Sequence, residues 1–336
     1  MSTVAVVGAA GYTGKFVVAE LARRGIGVIA IGRDAGRLDK AGFAASVKKR
    51  VARVDDAAAF ATAIEGAQVV VNCAGPFMDT ADAVAGAAIR AKAHYIDVSA
   101  EQGSTRFVLE KYDAPARYAG VAVVPALAFF GGFVDLLATV AVGDWPATDS
   151  IEAVIGLDSW HPTEGTRETG KKNTAQRFVL RGGKLEAFTA PATKEWGFGA
   201  ELGHLKVNEV ALSEAMLIPR HIQVKELHTY LSSNALDDIH DAATPAPKAA
   251  DKSGRSAQKF VVDVVAVKRG AKKRSVRARG RDIYGFTGPL VMEAVAALLG
   301  GNFGFAGAKA PGEMFDARAI VEACARNDET FQFEKI

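Results

Sequence analysis

Cysteine is scarce in this chain, which has two cysteines, Cys73 and Cys324, among its 336 residues. Two cysteines so far apart fit neither a disulfide framework nor a zinc site, so we expect no structural disulfide and no metal. An excess of one charge sign is also missing, because 41 basic residues nearly balance 38 acidic ones. This balance argues against binding to nucleic acid or to an anionic membrane over the whole surface.

A long, uninterrupted apolar run is absent as well. Residues 120–143 come nearest, with Asp135 as their single charge, but Pro125 and the pair Gly131–Gly132 interrupt them. Since a membrane span requires a continuous apolar helix of about 20 residues, we predict a buried strand, a loop and an apolar helix here. No basic and apolar leader precedes the first predicted strand at residue 3, so we expect a cytoplasmic protein.

Glycine, by contrast, is placed where a nucleotide would need it. The apolar run at residues 3–7 leads into Gly8-Ala-Ala-Gly11-Tyr12-Thr13-Gly14, followed by a helical stretch and a second apolar run at residues 28–31. Glycines let the backbone turn tightly and approach phosphate oxygens, while a helix N-terminus presents free N–H groups. The spacing differs from the usual Gly-x-Gly-x-x-Gly, yet the strand, turn and helix order predicts dinucleotide binding.

The end of the second strand, Gly32-Arg33-Asp34, addresses the choice between NADP and NAD. At this position an arginine can pair with a 2′-phosphate and an acidic residue can bind a 2′-hydroxyl. Arg33, with Arg37 one turn further on, favours NADP; Asp34 keeps NAD as the alternative. The sequence therefore predicts NADP as the cofactor, with NAD not excluded.

The rest of the first half repeats the pattern of an apolar strand and an alanine-rich helix, with strands predicted at 68–73, 94–98 and 121–124 and a third strand ending at Asp55. Such a pattern predicts an α/β fold with an N-terminal Rossmann domain, a doubly wound parallel sheet, at residues 1–125. Longer alternating runs then predict a second α+β domain on a mixed or antiparallel sheet at residues 126–285. Residues 286–336 are predicted as C-terminal helices that pack back on the Rossmann domain.

Ligands in such folds bind beyond the carboxyl ends of the strands. We assign the following residues to cofactor binding: Gly8, Gly11, Tyr12, Thr13, Gly14, Arg33, Arg37, Asp55, Asn72, Cys73, Ala74, Gly75 and Pro76. Hydride transfer also needs a proton donor, for which Tyr95, Asp97 and His161 are the catalytic candidates. Phe77, Glu101, Trp160 and Arg167 are assigned to substrate binding, Arg167 as a bidentate partner for a carboxylate. The tyrosine and lysine pair of short-chain reductases is absent after the fifth strand.

Residues 268–281 carry eight basic and no acidic side chains. Such a stretch is typically a solvated hairpin edge, in which charge blocks edge-to-edge pairing. An acidic carrier protein docked on these cations is the alternative. A homodimer formed through the sheet of the second domain is a further expectation, for which the sequence holds no direct signal.

Four segments together resemble the saccharopine dehydrogenase-like oxidoreductases, a group that includes the trans-acting enoyl reductases. The segments are Gly8–Gly14, Gly32–Arg33, the run Val71-Asn-Cys-Ala-Gly-Pro-Phe77 and the run His94-Tyr-Ile-Asp-Val-Ser-Ala-Glu101. The resemblance covers residues 1–140; later, Gly165–Arg167 and the stretch from Asp282 to Leu299 resemble the family faintly. It implies an NADP- or NAD-binding Rossmann domain, a second domain on a mixed sheet, and a reductase or dehydrogenase reaction.

The predicted function is therefore an NADP-dependent oxidoreductase that transfers hydride to or from a small carbonyl, imine or enoyl compound. No full set of carboxylate-binding residues is found for an amino-dicarboxylic substrate, so saccharopine itself is not predicted. Two alternatives stay open: a non-catalytic, NADP-binding redox sensor, and an enoyl reductase that acts on carrier-bound acyl chains. Function depends on the second domain, while the resemblance depends on the first.

Overall fold

Seven parallel strands form the first sheet in the computed structural model, which describes residues 2–336. They are β1 (Thr3–Val7), β2 (Gly27–Gly32), β3 (Lys48–Val51), β4 (Val69–Asn72), β5 (His94–Asp97), β6 (Ala122–Val124) and β15 (Gly307–Ala308). Across the sheet the order is β15-β6-β5-β4-β1-β2-β3. The chain therefore reverses its winding direction between β1 and β4, where a ligand crevice is expected in a doubly wound fold.

Five helices connect these strands: α1 (Tyr12–Arg23), α2 (Ala35–Asp39), α3 (Ala57–Ala63), α4 (Phe77–Arg90) and α5 (Gln102–Ala119). The central strands β1 and β4 are buried almost completely, which explains their unbroken apolar sequences. The edge strand β3 is different, because its Lys-Lys-Arg-Val sequence is mostly exposed. Charged side chains at a sheet edge discourage pairing with another chain.

A nine-stranded mixed sheet forms the second domain. Its strands are β7 (Ala147–Leu157), β8 (Phe178–Arg181), β9 (Lys184–Ala187), β10 (Thr193–Gly197), β11 (His204–Val210), β12 (Gln223–Ser232), β13 (Lys259–Val267), β14 (Arg274–Arg281) and β16 (Gln332–Lys335). The central pair, β7 and β12, is parallel, while β13 and β14 continue the sheet antiparallel. The predicted α/β class, with a second domain on a mixed sheet, is thus confirmed.

The helices of the second half are α6 (Val134–Val142), α7 (Glu164–Lys172), α8 (Glu214–Leu217), α9 (Ser233–His240), α10 (Ile283–Leu299), α11 (Pro311–Met314) and α12 (Ala317–Asn327). Helix α6 packs on β7, β13 and β14, and its side chains are almost all buried. Helix α10 packs along α1, where Arg24 and Glu293 form an ion pair of 2.5 Å. Through α6 and α10 the two sheets share one apolar core.

The structure differs from the sequence prediction at three elements. The third strand ends at Val51, so Asp55 lies in the turn before α3. Residues 164–172, for which the sequence analysis predicts no helix, form α7. The C-terminal segment supplies β15 to the first sheet and β16 to the second, in addition to its helices, while the domain boundaries at 125 and 285 stay a prediction. None of the helices within residues 2–336 has the length and apolar character to cross a membrane.

Candidate functional site

The candidate site lies where the carboxyl ends of β1 and β4 meet. A Cβ atom on Gly8 would lie 2.8 Å from the backbone of Cys73 and of Ala74, so the glycine turn after β1 touches the turn after β4. Gly8 also adopts a φ of +72°, a region that favours glycine. The chain thus requires glycine at this position for both space and conformation.

Gly14 permits a second close approach. Its Cβ atom, if present, would overlap the Gly8 carbonyl oxygen and would lie 2.9 Å from that of Ala9. Gly11 precedes helix α1 and no side chain of residues 2–336 caps that helix end, so its first N–H groups remain available to an acceptor. An uncapped helix start behind a glycine turn fits the pyrophosphate of a dinucleotide.

The end of β2 holds the predicted ribose-binding residues, which the structure brings together. Arg33 is exposed and makes no ion pair with any residue that the structure describes. Asp34 caps α2, with its Oδ1 accepting from the Arg37 N–H at 2.9 Å, while the Arg37 guanidinium lies 3.2 Å from Glu164 of α7. Asp55 is exposed and pairs with Arg53 at 2.7 Å, outside the strand predicted for it.

Asn72 shapes the turn after β4. Its Oδ1 accepts from the Ala74 N–H at 3.0 Å, its Nδ2 donates to Thr80 Oγ1, and Thr80 Oγ1 donates to the Ala74 carbonyl at 2.6 Å. Burial, with a smaller effect from the Asp97 charge, raises the pKa of the Cys73 thiol to about 12, so this thiol stays protonated near neutral pH. The turn that ends in Gly75 and Pro76 therefore offers backbone and small side chains to a ligand rather than a nucleophile.

Tyr95 and Asp97, predicted as catalytic, are both fully buried. The Tyr95 hydroxyl donates to Asp97 Oδ2 at 2.9 Å, and Asp97 Oδ1 accepts from the N–H groups of Ser99 and Ala126 at 3.0 and 2.8 Å. Each Asp97 oxygen is thus occupied within the protein. The two side chains hold the loops that follow β5 and β6 in this structure, and their predicted catalytic role stays a prediction.

Asp97→Ala should lower the free energy of unfolding by about 3 kcal/mol or more, because the Ser99 and Ala126 N–H groups would lose their buried acceptor. Urea unfolding followed by circular dichroism measures this change. Asp97→Asn is the matched control, since it keeps an acceptor oxygen. A stability of Asp97→Ala equal to that of the wild type would contradict this role for the carboxylate.

The wild type and Asp97→Asn together also test how stability depends on pH. Burial raises the pKa of Asp97 from its ordinary 3.8 to about 6, so the folded state binds a proton more tightly than the unfolded state. The free energy of unfolding of the wild type, measured relative to that of Asp97→Asn, should therefore fall as pH rises from about 4 through about 6. The expected fall is up to about 3 kcal/mol. Unfolding curves at pH 4, 5, 6 and 7 check the sign; a constant difference between the two proteins would contradict it.

Glu101 and Phe77 lie together at the start of α4. The buried Glu101 carboxylate accepts from the Phe77 N–H at 2.8 Å and from the Met78 N–H at 3.4 Å. Burial raises the pKa of Glu101 despite these two hydrogen bonds. The carboxylate thus caps α4 in this structure, and its predicted contact with substrate stays a prediction.

The second domain places an aromatic cluster of Phe130, Trp160 and Tyr284 beside the glycine turn, where Tyr284 packs on Tyr12. Trp160 packs on Phe130, with ring centroids 5.0 Å apart, and its Nε1 donates to the Tyr284 hydroxyl at 2.8 Å. His161, the next residue, is half-buried and makes no hydrogen bond with any described residue. Arg167 donates to the carbonyls of Asp241 and Thr244, so a substrate carboxylate would have to displace these contacts.

Phe130 and Tyr284 of this cluster were not predicted as site residues. Neither stands next to a catalytic motif, although the Asp282–Tyr284 segment has a faint family resemblance that points to it. Asp282 joins the domains: it is buried, has a φ of +59°, caps α10 and accepts from the Tyr12 hydroxyl of the glycine turn at 3.0 Å. The glycine turn is therefore fastened directly to α10.

The basic stretch at residues 268–281 has fewer unpaired cationic side chains than its sequence indicates. Arg274 pairs with Asp144 at 2.6 Å and Arg277 with the buried Asp263 at 2.6 Å. Arg279 pairs with Glu201 and Glu334, and Arg281 with Asp251. Four of the eight cations are thus paired within the chain, and docking of an acidic carrier protein on this stretch stays a prediction.

Comparisons with known proteins agree with the fold. Residues 4–124 match the model of the saccharopine dehydrogenase NADP binding domain. Apo saccharopine dehydrogenase (L-Glu forming) from Saccharomyces cerevisiae is 13% identical with a TM-score of 0.70, covering 100% of both chains. GenD2 from gentamicin A biosynthesis, solved with NAD, is 13% identical with a TM-score of 0.47 over 100% of this chain and 96% of its own. No curated protein sequence matches.

The parallel sheet, the glycine turn and the matched domain model define an NAD(P)-dependent oxidoreductase, which binds a nicotinamide dinucleotide and acts on a small molecule. Residues 4–124 match the saccharopine dehydrogenase NADP binding domain, which confirms the resemblance found in the sequence. Beyond residue 124 the likeness is one of fold.

Proposed function

We propose that the protein is an NADP-dependent oxidoreductase that transfers hydride to or from a small carbonyl, imine or enoyl compound. The observation that carries the proposal is the joint placement of an uncapped helix start behind Gly8–Gly14 and an unpaired Arg33 at the neighbouring strand end. The first would hold the pyrophosphate and the second the 2′-phosphate. Asp34 uses its Oδ1 to cap α2, which supports NADP over NAD.

When bound, the nicotinamide cofactor supplies or takes the hydride. The chain's own groups provide the remainder: the turn Asn72–Pro76 would present its backbone to the cofactor, and the cluster of Phe130, Trp160 and Tyr284 would exclude water from the substrate. These side chains carry no formal charge, so they favour a substrate with an apolar portion. We assign proton transfer to His161, because its imidazole is accessible and unpaired among the described residues, while Tyr95 and Asp97 are buried.

Arg33→Ala should weaken NADPH binding about tenfold and leave NADH binding unchanged, because the lost charge-assisted hydrogen bond involves the 2′-phosphate alone. Isothermal titration calorimetry with both nucleotides measures the change. Arg106→Ala is the matched control, since Arg106 is another exposed arginine, which lies on α5 and pairs with Glu110. An equal loss for NADPH and NADH, or no loss for either, would refute the assignment of Arg33 to the 2′-phosphate.

A further inference from the structure

Helix α7 lies across the turns that follow β2 and β4, where the cofactor is proposed to bind, although its sequence belongs to the second domain. Near its start, Glu164 pairs with Arg37 after β2; near its end, Lys172 pairs with Asp79 of α4 at 2.6 Å. Between them, Thr169 lies over Gly75, because a Cβ atom on that glycine would be 3.1 Å from Thr169 Oγ1. The helix therefore bridges the strand ends that hold the predicted ribose-binding and nicotinamide-binding residues.

This helix is held weakly to the first domain. None of its residues is buried, and it contains Gly165 and Gly170, which are poor helix formers. Both ion pairs to the first domain are exposed, and such pairs contribute little stability. A segment with few buried contacts opens at low cost, so we expect α7 to move without unfolding of the domain.

The start of α7 is anchored to the second domain. Thr163 caps the helix by accepting from the Thr166 N–H, and Thr166 Oγ1 lies 2.9 Å from the Tyr284 hydroxyl. Arg167 adds hydrogen bonds to the carbonyls of Asp241 and Thr244. Detachment of Glu164 from Arg37 therefore leaves the helix anchored beside the aromatic cluster.

Arg33, which follows β2, and Arg37 of α2 are unequal in this arrangement. Arg33 has no partner among the described residues, whereas Arg37 is occupied by the Glu164 carboxylate at 3.2 Å. A 2′-phosphate is a stronger, doubly charged acceptor for the same guanidinium. Carboxylate and phosphate cannot both lie on Arg37 without repulsion between them.

We propose that Glu164 is a specificity-determining residue that competes with the cofactor 2′-phosphate for Arg37, so that binding of a phosphorylated dinucleotide detaches the start of α7 from the first domain. The proposal rests on the proposed function, since it requires the adenosine ribose at the end of β2. Its consequence is that the wild-type chain binds NADPH less tightly than its two arginines would allow, while NADH is unaffected.

The test compares wild type, Glu164→Gln and the control Glu168→Gln in titrations with adenosine 2′,5′-bisphosphate, 5′-AMP, NADPH and NADH. Glu168 is on the same helix and pairs with Lys171 within α7. Glu164→Gln should tighten binding of the two 2′-phosphorylated ligands about twofold to fivefold, the range expected for an exposed ion pair. It should leave 5′-AMP and NADH unchanged, and Glu168→Gln should change nothing.

The possible results distinguish a failure of this competition from a failure of the proposed function. Unchanged or weaker NADPH binding by Glu164→Gln overturns the competition, because Glu164 would then be neutral or would orient Arg37, while the oxidoreductase assignment stands. Equal affinity for the bisphosphate and 5′-AMP in both the wild type and Glu164→Gln also overturns the competition and leaves NAD as the cofactor. Absence of binding by all four ligands overturns both proposals.

Discussion

Gly8→Ala should weaken nucleotide binding at least a hundredfold and strongly destabilise the first domain. The new methyl group would lie 2.8 Å from the backbone of Cys73 and Ala74, at a residue whose φ is +72°. Because the obstacle is backbone in the central strand turn, the glycine turn and the Asn72–Pro76 turn would have to separate. Titration with NADPH and urea unfolding measure the two effects.

Gly25→Ala is the matched control for this prediction. Gly25 has nearly the same φ, +74°, but a Cβ atom there would meet nothing within 4 Å. We expect it to cost about 1 kcal/mol from backbone strain alone and to leave nucleotide affinity unchanged. If Gly8→Ala behaves like Gly25→Ala, the close contact between the two turns is not important for the site.

His161→Asn should slow turnover about 10²- to 10⁴-fold, the usual contribution of a positioned general acid or base. Asparagine keeps a polar side chain of similar reach but cannot exchange a proton near neutral pH. The affinity for NADPH should not change, because no proposed cofactor contact includes His161. The measurement is NADPH oxidation with a substrate found by screening carbonyl, imine and enoyl compounds.

His204→Asn is the control, since His204 is an exposed histidine on β11 of the second sheet. It should retain wild-type turnover. Full activity of His161→Asn would exclude the imidazole as proton donor; reduced NADPH affinity with unchanged turnover would make His161 a cofactor-positioning residue.

The sequence predicts the first sheet well, for a physical reason. Strands buried on both faces require unbroken apolar runs, and β1 and β4 have them. The same property hides the direction of a side chain: alternation places Tyr95 and Asp97 on one face of β5, but both faces are interior. The local pattern therefore could not predict which side of the sheet these two side chains enter, nor their partners in the loops after β5 and β6.

Contacts between distant segments explain the other differences. Helix α7 contains Gly165 and Gly170, so its helix propensity is low, and its cap at Thr163 and its terminal Lys171 and Lys172 were the available signals. Glu164 is 127 residues from Arg37, and no local rule connects them. Similarly, the acidic partners of Arg274 and Arg279 come from other parts of the chain, so the hairpin looks more basic in sequence than in the fold.

The central claim is that the edge formed by Gly8–Gly14 and Asn72–Pro76 binds a nicotinamide dinucleotide beneath α7. Titration of the wild-type protein with NADPH and NADH, followed by fluorescence of the reduced nicotinamide, tests it most directly. We predict saturable binding of NADPH at micromolar concentrations, tighter than that of NADH. Absence of binding for both nucleotides at millimolar concentrations would contradict the account and would reduce the glycine turn to a structural role.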